Sequence, residues 1–95
     1  MNNNKKLWFA VDVEADAAAT EAIEFALNEL GALGTEIDSF LKPTDKPMRV
    51  SGYFETLPAD GEIRDAVFVA LTIYGFGPAA AVSIGTRSVE QTDWL

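Results

Sequence analysis

Apolar and polar residues alternate over residues 6–14 (KLWFAVDVE), with Leu7, Phe9, Val11 and Val13 on one side, so this stretch predicts a half-buried strand. The period then changes. Asp16 offers an N-cap, and Ala19, Ile23, Ala26, Leu27 and Leu30 recur at helical spacing through 17–30, with Gly31 as the stop. Residues 34–40 (GTEIDSF) predict a short second strand, and 41–47 (LKPTDKP) a loop with two prolines. A third strand is expected over 48–55, with Met48, Val50 and Phe54 inward.

Leu57-Pro58-Ala59 turns the chain, and Asp60 predicts a cap for a second helix over 61–74. Its core stripe reads Ile63, Ala66, Val67, Ala70, Leu71 and Tyr74, and Gly75, Gly77 and Pro78 end it. Residues 81–89 predict the last strand, with Val82 and Ile84 inward. The order β-α-β-β-α-β has one dominant solution. Two right-handed crossovers put both helices on one face of a four-stranded antiparallel sheet of order 4-1-3-2, the ferredoxin-like α+β sandwich.

Composition narrows the function classes. The 95 residues suit one domain, and 48% hydrophobic residues suffice for a core. No apolar run reaches membrane-spanning length, and the polar start has no apolar segment behind it, so a cytoplasmic protein is expected. Fifteen acids against seven bases give a net charge of −8, which disfavours nucleic acid and favours a basic partner or none.

Histidine and cysteine are both missing from the sequence, so Ser-His and Cys-His nucleophiles and thiolate metal sites are excluded. No glycine pattern follows a strand as a phosphate loop requires, and Gly75-Phe76-Gly77-Pro78 follows a helix and reads as its stop. Asp12, Glu14 and Asp16 alternate at a strand end, but the glycine and closing glutamate of a calcium loop are absent, so no metal is expected. An acylphosphatase-type activity would need an arginine in a phosphate-cradling loop after the first strand. Glu14-Ala15-Asp16-Ala17 stands there instead.

Two surfaces carry candidate partner contacts. On the helix-free face of the sheet the first strand presents Trp8, Ala10 and Asp12, and the third presents Arg49, Ser51 and Tyr53. A register with Trp8 opposite Tyr53 would also set Asp12 opposite Arg49, an aromatic and an ionic pair each worth up to about 1 kcal/mol. Glu36 and Asp38 on the edge strand would give this surface an acidic border. The second surface is the second helix, where Phe68 and Val69 fall off the core stripe on opposite flanks and imply a covering domain or partner.

Glu29 to Asp38 (ELGALGTEID), Ser51 to Phe54 (SGYF) and the closing VEQTDWL, in this element order, resemble the amino-terminal domain of the bacterial ribosomal-protein methyltransferase family, which modifies large-subunit protein eleven. The resemblance implies a substrate-recognition domain over 6–89, a disordered start over 1–5, and over 90–95 the beginning of a linker to an absent catalytic domain that binds S-adenosylmethionine. The fragment alone would then be no enzyme, hold no cofactor, and present Trp8, Asp12, Glu36, Asp38, Arg49 and Tyr53 to a basic ribosomal protein, as a monomer touching neither nucleic acid nor membrane. The alternative is a ligand-binding regulatory module of amino-acid-sensing type. Such modules share this topology and dimerise, and the Phe68–Val69 flank is compatible with dimerisation.

Overall fold

A computed structural model describes residues 7–38 and 48–90. Strand β1 (Leu7–Ala15) is followed by a 3-10 turn (Ala17–Ala19), helix α1 (Thr20–Glu29), and strands β2 (Gly34–Asp38) and β3 (Met48–Phe54). Helix α2 (Asp60–Ile73), a second 3-10 turn (Pro78–Ala80) and strand β4 (Ala81–Glu90) complete the order. The sheet runs β2-β3-β1-β4 with every neighbour antiparallel, so the ferredoxin-like α+β arrangement is as the hydrophobic pattern predicts. The expected segments 1–5 and 41–47, Lys6 of the expected first strand, Ser39 and Phe40 of the expected second, and 91–95 of the expected linker 90–95 lie outside the described residues, while Glu90 ends β4. Among the described residues no helix is long and apolar enough to cross a membrane.

Val11, Val13, Val50 and Phe54 from the sheet meet Ile23 and Leu27 of α1 and Ile63, Val67 and Leu71 of α2 in one core. Ala15, Ala19, Ala22, Ala26 and Ala70 are buried among them, and their small side chains bring the helices close to the sheet and to each other. Val11 and Val13 therefore point to the helices as alternation requires, whereas Leu7 at the outer end of β1 is exposed.

Both helices leave by the same device. Gly31 (φ 102°) and Gly75 (φ 84°) adopt the left-handed conformation that only glycine takes cheaply. Ala32 N–H then donates to Leu27 O at 3.1 Å and Gly31 N–H to Asn28 O at 3.0 Å. Phe76 N–H likewise donates to Leu71 O at 2.7 Å and Gly75 N–H to Thr72 O at 3.0 Å. These paired bonds define the Schellman motif and satisfy carbonyls that the last turn leaves open.

The helix starts differ from expectation. Asp16 precedes the 3-10 turn without a side-chain capping bond, and its backbone N–H instead donates to Ala80 O at 2.9 Å. Asp60 is the first residue of α2 and Ala59 its N-cap, so Asp60 and Glu62 act as charge in the first turn. Tyr74 follows the last helical residue, is exposed, and places its ring 6.0 Å from that of Phe25.

Candidate functional site

The helices cover one side of the sheet and leave the other open. Three rows of directly opposed residues cross it. Gly34, Tyr53, Ala10 and Arg87 form the first, from β2 through β3 and β1 to β4. Glu36, Ser51, Asp12 and Gly85 form the second, and Asp38, Arg49, Glu14 and Ser83 the third.

This register lies two residues from the expected one. Tyr53 faces Ala10 instead of Trp8, and Arg49 faces Glu14 instead of Asp12. Trp8 stands opposite Val89 of β4. A slip of two keeps every side chain on its own face, so alternation alone could not distinguish the two registers. The helix-facing side decides. Gly52 lies opposite Val11 and beneath Leu27, where a Cβ would stand 3.1 Å from Leu27 Cβ and Cδ1. Sliding the strands would move this notch out to Phe9 and set Val50 opposite Val11.

The charges pair accordingly. Asp12 receives Arg87 Nε at 2.7 Å on Oδ2, Arg87 Nη2 at 3.2 Å on Oδ1, and the Ser51 hydroxyl at 2.6 Å on Oδ1. Arg49 lies 3.9 Å from Glu14, a loose and exposed pair. Tyr53 Oη donates to Glu36 Oε1 at 2.9 Å. The Arg87 guanidinium lies 6.0 Å from the Tyr53 ring centre, within reach of a cation–π attraction. Ala10, between these two in register, is fully buried although it belongs to the open face.

The same contacts set the protonation states. Partial burial pushes the Asp12 carboxyl up, but the hydrogen bonds from Arg87 and Ser51 and the charges of Arg87 and Arg49 outweigh it and hold the group below its usual value. Burial, then the bond to Glu36, raises the Tyr53 phenol. Arg87, bonded to Asp12, is held still more firmly protonated than a free arginine.

Glu36, Asp38, Arg49, Ser51, Tyr53 and Arg87 surround an open concavity of about 520 Å³ on this face. It gathers the predicted Glu36, Asp38, Arg49 and Tyr53. Asp12 does not line it but bonds two residues that do, Ser51 and Arg87, and Trp8 stands a row away. Arg87 escaped the sequence reading, which followed only the inward positions of the last strand. Its signal was parity, since it alternates with Gly85 and Val89 on the outward side.

Phe68 and Val69 are 42% and 57% exposed on the outside of α2. They border one shallow apolar hollow together with Thr72 and Ile73, where the sequence put them on opposite flanks.

No family model matches the chain, and no curated protein does. Solved structures do. CPII, a nitrogen regulatory PII-like protein from Thiomonas intermedia K12 solved with ADP, AMP and bicarbonate, is 11% identical over 92% of each chain, at a TM-score of 0.56. A protein from Thermus thermophilus, described by likeness as a PII-like signalling protein, is 17% identical over 93% of this chain and 91% of its own, also at 0.56. LarC2, the C-terminal domain of a cyclometallase involved in synthesis of the NPN cofactor of lactate racemase, is 10% identical over 93% of this chain and 58% of its own, at 0.52. At these identities the likeness is one of fold.

These comparisons overturn the methyltransferase resemblance, and with it the basic ribosomal-protein substrate and the tethered catalytic domain. Two of the three quoted stretches have a structural origin instead, while residues 91–95 of the third lie outside the described residues. The Leu-Gly exit at residues 30–31 is the Schellman turn of α1, and Ser-Gly-Tyr-Phe at 51–54 alternates faces under Leu27.

Proposed function

We propose that the chain is a small-molecule-binding regulatory module, with the concavity on the open sheet face as its ligand site. The observation that carries this reading is the convergence of six polar side chains on one uncovered hollow. The fold is shared with PII-like proteins, one of which was solved with ADP, AMP and bicarbonate, and that likeness supports a regulatory role. The lack of histidine and cysteine throughout the chain fits binding better than turnover.

Isothermal titration calorimetry with ADP, AMP, bicarbonate and a panel of metabolites tests the proposal. Saturable binding of a small molecule that is lost in Arg49→Gln supports it. Binding that survives Arg49→Gln and Tyr53→Ala together would move the site elsewhere. A flat response to the whole panel would remove the reading.

A further inference from the structure

The concavity carries both signs of charge in a fixed arrangement. Glu36 and Asp38 stand on the edge strand β2, and Arg49 and Arg87 stand on β3 and β4. The hydroxyls of Ser51 and Tyr53 lie between the two groups. Four ionised lining groups thus sum to zero, and Glu14 and Asp12 stand just behind the arginines.

This arrangement selects against polyanions. A polyphosphate would approach a chain of net charge −8 and lie against the Glu36 and Asp38 carboxylates. Both helices pack on the opposite side of the sheet, so neither amino terminus is available to receive phosphate here. Arg87 is committed to Asp12 through Nε and Nη2, which leaves it fewer donors for an incoming anion.

A molecule with one carboxylate and one ammonium escapes the first two objections, and it asks less of the remaining Arg87 donors than a polyphosphate would. Its net charge is zero, so the field of the chain does not repel it. Its carboxylate finds Arg49, which is held only loosely by Glu14 at 3.9 Å, and the remaining donors of Arg87. Its ammonium finds the Glu36 and Asp38 carboxylates one strand away. From this juxtaposition we infer that the site takes a free α-amino acid or a similarly small zwitterion. The inference rests on the ligand-module reading above and narrows it to one ligand class.

The test is a titration of the nitrogen-15-labelled full chain, following amide shifts. The probes are free L-amino acids, the same compounds N-acetylated, their methyl esters, and ADP and AMP. Free amino acids should shift the amides of Glu36, Arg49, Ser51 and Tyr53. Acetylation or esterification, each removing one charge, should weaken binding by about tenfold or more. Glu36→Gln should weaken the free amino acid and leave the N-acetyl form unchanged, a readout that mere misfolding would not give. Equal binding of free and blocked forms would overturn the inference, as would ADP or AMP shifting these amides while amino acids do not. That last result would keep the ligand-module reading, and silence from every probe would overturn both.

Discussion

Arg87 reaches over Tyr53, its guanidinium 6.0 Å from the ring centre, with the fully buried methyl of Ala10 between them in register. An alanine at the centre of an uncovered sheet face would ordinarily be wet. Here it is fully buried, flanked in register by two long side chains, and Asp12 holds one of them. The open face is therefore a built surface, with its own small buried centre and a polar hollow beside it.

Removing Arg87 should cost stability. Arg87→Ala would strip Asp12 of its charged donor and uncover Ala10. The Arg87 side chain is 45% exposed and that of Asp12 is 19%, so solvent screening limits the loss to about 1–2 kcal/mol. Arg87→Lys keeps the charge without the two-pronged bond and should fall between. Thermal melts followed by circular dichroism decide it. A midpoint unchanged in Arg87→Ala would mean the contact contributes nothing to folding.

Acid should act through Asp12, the other half of this pair. The Asp12 carboxyl is held below its ordinary value in the folded chain by Arg87 and Ser51, so as pH falls the unfolded chain takes up its proton first. The stability tied to this group is complete above the unfolded value and is lost as pH falls through the folded one. Asp12→Asn removes the titration. Urea midpoints of wild type and Asp12→Asn, measured from neutral pH downward, should therefore converge as pH falls through the lowered value of the folded carboxyl. A constant separation across that range would show that Asp12 is not the acid-sensitive group.

The fold was legible because each level of the sequence agreed with it. Alternation marked β1 and β3, the helical stripes of Ile23–Leu27 and Ile63–Leu71 marked the core faces, and Gly31 and Gly75 marked both exits. The register was not legible, because alternation fixes the face of a side chain and says nothing about a slip of two. The decisive contact, Gly52 beneath Leu27, joins a strand to a helix and has no local signature. Arg87 was missed for a related reason, since its partner Asp12 lies 75 residues away in the chain. The methyltransferase likeness failed because two of its short stretches report a helix exit and a strand face, features of the fold rather than of one family.

Phe68 and Val69 should prove dispensable for folding. Both are exposed on α2, unlike Val67 and Leu71 beside them. Phe68→Gln and Val69→Gln should each change stability by no more than about 0.5 kcal/mol. Leu71→Ala, which opens a cavity in the core, should cost about 2–5 kcal/mol. Urea denaturation of the three variants makes the comparison. A loss near that of Leu71→Ala at either exposed site would show that it is covered in solution.

Gly52→Ala tests the contact that sets the register. A methyl at this buried position would stand 3.1 Å from Leu27 Cβ and Cδ1, tighter than most real contacts, so Leu27 or its helix would have to give by a few tenths of an ångström. The expected cost is about 1–3 kcal/mol, typical of overpacking. Leu27→Ala alone leaves a cavity and should cost about 2–5 kcal/mol. In the double variant the new methyl occupies part of the space that Leu27 gave up, so the two losses should sum to more than the loss of the pair. A double-mutant cycle from urea unfolding reads that difference directly. Strict additivity would mean that the glycine is required for some reason other than the approach of Leu27, and the account of why β1 and β3 pair in this register would have to be rebuilt.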